Sequence, residues 1–92
     1  MARIFVVNDA YKADVKTFEV SDAYKADILA FVVKDEYKAK DDLHWFYVKD
    51  AYKASTQIFW VKDSSQSDLK VCFVKDEYRA KWNASHARRG RL

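Results

Sequence analysis

The sequence predicts an all-β fold: six short strands in one small domain, joined by tight corners or single helical turns. Three observations carry that prediction. A unit of 13 residues recurs along the chain, a Val and an aromatic recur two residues apart inside each unit, and the unit is too short for a strand and a real helix together.

The units align on an Asp that opens a phrase of the type DAYKAD: Asp9, Asp22, Asp35, Asp50, Asp63 and Asp76. Successive steps are 13 residues, apart from one of 15 between Asp35 and Asp50, where two extra residues fit best at Lys40 and Asp41. Two residues before each Asp stands Val7, Val20, Val33, Val48, Val61 or Val74, and two before that Phe5, Phe18, Phe31, Phe46, Phe59 or Cys72. A period of two in β-branched and aromatic residues marks a strand, here roughly five to seven residues long. The Val and Phe positions form one expected buried face, with Cys72 in a core position.

The phrase between strands is the corner. Pro is absent and the only Gly, Gly90, lies outside the repeat, so the corners must use ordinary dihedrals. The opening Asp is expected to bond nearby backbone amides, and Tyr11, Tyr24, Tyr37, Tyr52 and Tyr78 to lay their rings over the corners while the following Lys or Arg stays solvated. The corner is read as structural at Asp9, Tyr11, Asp22, Tyr24, Asp35, Tyr37, Asp50, Tyr52, Asp76 and Tyr78. Only Ser64–Ser67 replaces the Tyr and Lys.

The second strand face is also apolar, carrying Ile4, Val6, Ala30, Val32, Trp45, Tyr47, Ile58, Trp60, Val71 and Phe73; Thr17 and Glu19 alone look half-solvated. One buried face cannot offset the ordering entropy of a chain this long. The second face is therefore expected to be covered by another sheet, by the chain wrapping round it, or by a second copy of the protein. A meander, a small barrel or two stacked sheets fit the period equally well.

The phrases VVNDAYKADVKTFEVSDAYKAD and FVVKDEYKA, with their Val-x-Asp-x-Tyr-Lys-Ala-Asp pattern, resemble the small bacterial repeat proteins of unknown function that carry a seven-crossing, or septoil, backbone knot. The resemblance covers Arg3 to Ala80. It implies a compact, deeply knotted β fold in which non-neighbouring repeats pair, and brings no activity, cofactor or catalytic residue with it. Periodicity by itself suggests no knot.

For function the sequence excludes more than it assigns. Residues 1–82 read as one repeat domain and 83–92 as a basic, flexible C-terminal tail. The repeat is charge-balanced, so Arg88, Arg89 and Arg91 account for the whole net charge of +3. Three arginines promise only weak, salt-sensitive nucleic-acid binding. The longest apolar run is far below a membrane span, and a lone Cys72 agrees with a cytoplasmic setting. His44, His86 and Cys72 lack the number and spacing of zinc ligands, and the Gly-free corners lack the form of calcium loops, so no cofactor is expected. Near-identical repeats give no division of labour for catalysis. The expected role is a non-enzymatic structural or binding module. The alternatives are a nucleic-acid-binding module using the tail and exposed aromatics, with Trp45, Tyr47, Trp60, Arg88, Arg89 and Arg91 as binding residues and Phe73, Lys49 and Lys62 aiding the aromatic platform, and a small toxin-like hydrolase.

Overall fold

The computed structural model describes residues 2–83 and 85–92 and contains seven strands: β1 Ala2–Val6, β2 Val15–Glu19, β3 Ile28–Val32, β4 His44–Tyr47, β5 Thr56–Trp60, β6 Leu69–Phe73 and β7 Lys81–Trp82. Each corner is a three-residue 3-10 turn, the first at Ala10–Lys12 and the sixth at Glu77–Arg79. Among the described residues the only positive φ belongs to Gly90, so the corners do use ordinary dihedrals.

Six strands close into a barrel in the order β4-β1-β5-β2-β6-β3, with β3 returning to β4. Every pairing in this ring is parallel. The chain laps the barrel twice: β1, β2 and β3 take alternate places, and β4, β5 and β6 fill the gaps. A chain that always advanced two places would set β4 on top of β1. The step from β3 to β4 is instead to the adjacent place, and it is here that the two extra residues fall.

Parallel neighbours ordinarily need a crossover of a dozen or more residues. Eight suffice here because the strands are steeply staggered. Ile58 pairs with Val6 on one side and Val15 on the other, so β2 starts at the level where β1 ends. The corner then only has to cross β5 sideways. Both its feet rest on that strand: the Val7 N–H donates to the Ile58 carbonyl at 2.8 Å, and the Asp14 N–H to the Gln57 carbonyl at 2.7 Å. The same arch spans β6 from Val20 to Asp27, β1 from Val48 to Ser55, and β2 from Val61 to Asp68.

The residue that ties each arch down is the one that closes the phrase. Asp14 accepts from the Gln57 N–H at 2.8 Å, Asp27 from the Lys70 N–H at 2.8 Å, and Asp68 from the Lys16 N–H at 3.1 Å, while the Ser55 hydroxyl accepts from the Arg3 N–H at 2.8 Å. Each is thus bonded twice, backbone and side chain, to one residue of the strand below. The opening Asp makes no side-chain cap bond in five corners; Asp63 alone accepts from Ser65. Asp9, Asp22, Asp35 and Asp50 instead pair with the Lys three residues on, at 3.5–4.0 Å. The expected Asp cap is therefore corrected: extended backbone at the opening Asp carries the chain straight into the turn, leaving its carboxylate in solvent.

The barrel interior is lined by the face expected to need outside cover. Ile4, Thr17, Ala30, Trp45, Ile58 and Val71 form one fully buried tier, with Ala2, Val15, Ile28, Thr56 and Leu69 in the tier below. Thr17 is buried, not half-solvated, and its hydroxyl donates to the Phe59 carbonyl at 3.2 Å. One large ring is balanced by small neighbours, as Trp45 is by Ala2, Ala30 and Thr17. The Val and Phe face points outward beneath the arches, where corner residues Ala23 and Ala80 cover part of it and Cys72 is buried. Barrel closure therefore covers the second face, and the arches cover the first.

The C-terminal segment forms a collar under the barrel. β7 pairs antiparallel with β3. Then the Asn83 N–H donates to the Asp27 carbonyl before β3, the His86 ring to the Asp68 carbonyl before β6, and the Arg88 guanidinium to the Asp14 carbonyl before β2. Finally Ser55, before β5, donates to the Leu92 carbonyl, and Asp42, before β4, accepts from Gly90 and Leu92. These contacts follow the barrel order from β3 to β5 and then reach β4, passing over β1. The Leu92 side chain ends in the core, 2% exposed, so Asn83, His86, Arg88, Gly90 and Leu92 of the segment read from sequence as a flexible tail are seated against the strand starts.

Candidate functional site

Continuing the inward positions upward gives a third tier at the C-terminal ends of all six barrel strands: Tyr47, Val6, Trp60, Glu19, Phe73 and Val32, in order round the ring. This tier reaches solvent. Val6, Val32 and Tyr47 are 42%, 41% and 38% exposed, and Trp60 and Phe73 are half-buried. Trp60 meets Phe73 edge-on with centroids 5.9 Å apart, and Phe73 rests on Trp45 at 5.5 Å. The result is a shallow aromatic mouth floored by the core.

Glu19 is the one carboxylate in this tier. β2 lies three places from β4 in the ring of six, so Glu19 faces Tyr47 across the mouth. Burial first, and the Glu19 charge second, push the Tyr47 phenol up to about 12. Tyr47 is neutral at any physiological pH, a donor with an apolar ring.

Two residues beyond the mouth tier the chain places Lys49, Asn8, Lys62, Ser21, Lys75 and Lys34, again in ring order, all exposed. Among the described residues none of these four lysines is within 4.0 Å of a carboxylate, whereas Lys12, Lys25, Lys38 and Lys53 of the corners are each paired with an Asp. The corner lysines also sit 5.8–5.9 Å from the preceding Tyr ring. Eight of the twelve lysines thus fall into two sets, Asp-paired ones at the waist and unpaired ones beyond the mouth; Lys16, Lys40, Lys70 and Lys81, outside both sets, are likewise without a carboxylate within 4.0 Å among the described residues.

The residues expected to bind are split by the fold. Trp45 is fully buried and cannot serve as a platform; Tyr47 and Trp60 stand at the mouth; Arg88, Arg89 and Arg91 lie in the collar at the other end. The corner tyrosines are not packed over their turns as expected. Tyr11, Tyr24, Tyr37, Tyr52 and Tyr78 are 79–86% exposed, because a three-residue turn projects its middle side chain away from the arch.

Sequence reading missed the role of His44. Its Nδ1 lies 2.6 Å from Asp41 and its Nε2 2.6 Å from Glu77. Both ring nitrogens face carboxylates, so the doubly protonated ring donates to both. Burial opposes that charge, but the two hydrogen bonds and the two carboxylate charges outweigh it and raise the His44 pKa. Burial likewise works against ionised Asp41, and the bonds from His44 and the Leu43 N–H outweigh it, lowering that pKa. The clasp ties the inserted Asp41 to the sixth corner. The insertion itself was the available signal, since Asp41 has no counterpart in the other units.

Shallow clefts lie on the flank of the barrel, each bordered in part by a residue where the repeat is irregular. One of about 640 Å³ runs from Val32 and Lys34 to Tyr37, Lys40 and Glu77. Others border Ser64 and the Lys81–Asn83 stretch. No group of three His, Cys, Asp or Glu side chains among the described residues could hold a metal ion; the His44 nitrogens point to opposite sides. No helix among those residues is long and apolar enough to cross a membrane.

Neither a curated protein nor a solved structure matches the chain. The family model described as the 7(1) septoil knot domain matches residues 1–83, from the first strand to the start of the collar. The two interleaved laps of the barrel supply the winding that a torus-type knot of seven crossings needs. All-β, compact and built from interleaved repeats, the chain belongs to the 7(1) septoil knot domain family.

Proposed function

We propose that this knotted repeat domain is a non-enzymatic binding module whose ligand face is the open mouth of the barrel. One observation carries the reading: inward positions that are buried in the two lower tiers emerge at this end as Val6, Val32, Tyr47, Trp60 and Phe73. Leaving three large side chains some 40% exposed on the adjacent strands β3, β4 and β1 forgoes burial that the other end achieves with Leu92. Barrel mouths are a usual place for ligands. The six units supply no nucleophile paired with a base, which argues against the hydrolase alternative.

The test is an amide chemical-shift map with three probes: a neutral glucan oligosaccharide, a sulfated oligosaccharide and a short oligothymidylate. At least one is expected to shift Val6, Glu19, Val32, Tyr47, Trp60 and Phe73 together. If all three leave these amides unmoved at millimolar concentration, the reading is wrong.

A further inference from the structure

We infer that the mouth binds single-stranded nucleic acid, with bases stacked on Tyr47, Trp60 and Phe73 and phosphates along Lys75, Lys34 and Lys49. The inference rests on the mouth being the ligand face and adds the class of ligand. It follows from what the fold places together. Three aromatic rings occupy one tier, and Lys75, Lys34 and Lys49 follow on three adjacent strands, β6, β3 and β4. Lys62 completes the set beside Trp60. Rings for bases and unpaired cations for phosphates are the two parts that a sequence-tolerant single-strand site requires.

Other occupants fit less well. A second copy stacked mouth to mouth would set four unpaired lysines against four more. A quaternary ammonium would meet those same charges, and Trp60 and Phe73 already touch, leaving no cage between them. A duplex keeps its bases stacked within itself and offers the rings nothing. The corner ring, despite five exposed tyrosines, presents lysines already neutralised by Asp. The collar arginines lie at the far end, and Arg88 is already engaged with the Asp14 carbonyl.

The chain contains its own control. Replacing Lys34, Lys49, Lys62 and Lys75 by Gln, or Lys12, Lys25, Lys38 and Lys53 by Gln, removes the same charge from exposed positions in both cases. Binding is read as the fluorescence anisotropy of a dye-labelled oligothymidylate of about 12 nucleotides. The mouth quartet is expected to weaken binding about tenfold or more at low salt, and to flatten the salt dependence by about 0.7 per lysine that touches a phosphate. The corner quartet should change affinity by no more than about twofold, because those lysines lie at the waist, away from the aromatic tier, each with an Asp carboxylate 3.5–4.0 Å away. Trp60→Leu should weaken oligothymidylate but not a sulfated oligosaccharide.

Equal weakening by both quartets overturns the inference, as does failure of the unaltered protein to bind the oligomer. A sulfated chain that binds more tightly and ignores Trp60→Leu overturns it in favour of an acidic polysaccharide. Should oligothymidylate fail while another probe shifts the mouth amides, only the ligand class is refuted; should no probe shift them, the mouth reading falls as well.

Discussion

The two ends of the barrel are built from equivalent positions of one repeat and finished in opposite ways. At the strand starts, the collar passes from β3 to β6, β2, β5 and β4 and ends with Leu92 in the core. At the strand ends no segment of the described residues crosses, and the same inward face surfaces as aromatics bordered by unpaired lysines at four of six strands. A repeat that treats its ends alike would leave both open. The contrast separates what the chain uses to stay folded from what it leaves available, and each substitution below should fall on one side of that line.

The largest effect belongs to the plugged end. Leu92→Ala should cost about 2–4 kcal/mol, because it opens a cavity among Ile4, Trp45 and their neighbours that six closed strands cannot collapse to fill. Val32→Ala at the mouth should cost under about 1 kcal/mol, being already well exposed. Paired urea titrations measure both, and equal losses would erase the distinction between the ends.

Next come the closing and opening Asp of one arch. Asp27→Ala frees the buried-side Lys70 N–H and should cost about 1–2 kcal/mol, whereas Asp22→Ala, whose carboxylate meets only Lys25 in solvent, should stay within about 0.5 kcal/mol. Thermal midpoints of the two variants decide it.

The His44 clasp gives a smaller, pH-dependent effect. His44 has a raised pKa when folded, so its stabilisation is complete below its usual value of 6.5 and fades as pH rises through the raised value. Asp41 is lowered, so its share is present above its usual 3.8 and fades as pH falls through the lowered value. The clasp should therefore be strongest between these limits, and His44→Asn should flatten the fall in urea midpoint on the alkaline side. Smallest of all, Tyr24→Ser, which imports the side chain of the fifth corner, should change stability by less than about 0.5 kcal/mol.

Much of the fold was legible because its signals are local. The period of two located all six barrel strands, and the 13-residue step sized the corners, whose Gly-free, Pro-free composition dictated their dihedrals. Which face turned inward was not legible, because both faces are apolar. The uniform Phe and Val face looked like a core, yet a closed interior cannot take six equal large side chains at one level. The varied set Ile4, Thr17, Ala30, Trp45, Ile58 and Val71 fills it, and that variation was the true sign of burial. Pairing was beyond local reading too, since the clamps join residues 43 or 52 apart. The mouth was half legible: Tyr47, Trp60 and Phe73 were grouped with Lys49 and Lys62 beside them, but Trp45 sits one tier below, and Lys34 and Lys75 join the set only through the pairing of β3 with β4 and β6.

One tryptophan at each end allows the central claim to be tested directly. Trp60 stands at the mouth, Trp82 stacks on His86 in the collar, and Trp45 is sealed between them. Fluorescence of Trp82→Phe and Trp60→Phe variants during oligothymidylate titration reports on each end in turn. The account predicts saturable quenching when Trp60 is retained and little change when Trp82 is the accessible ring. Quenching that follows Trp82 instead, or both rings equally, would contradict it.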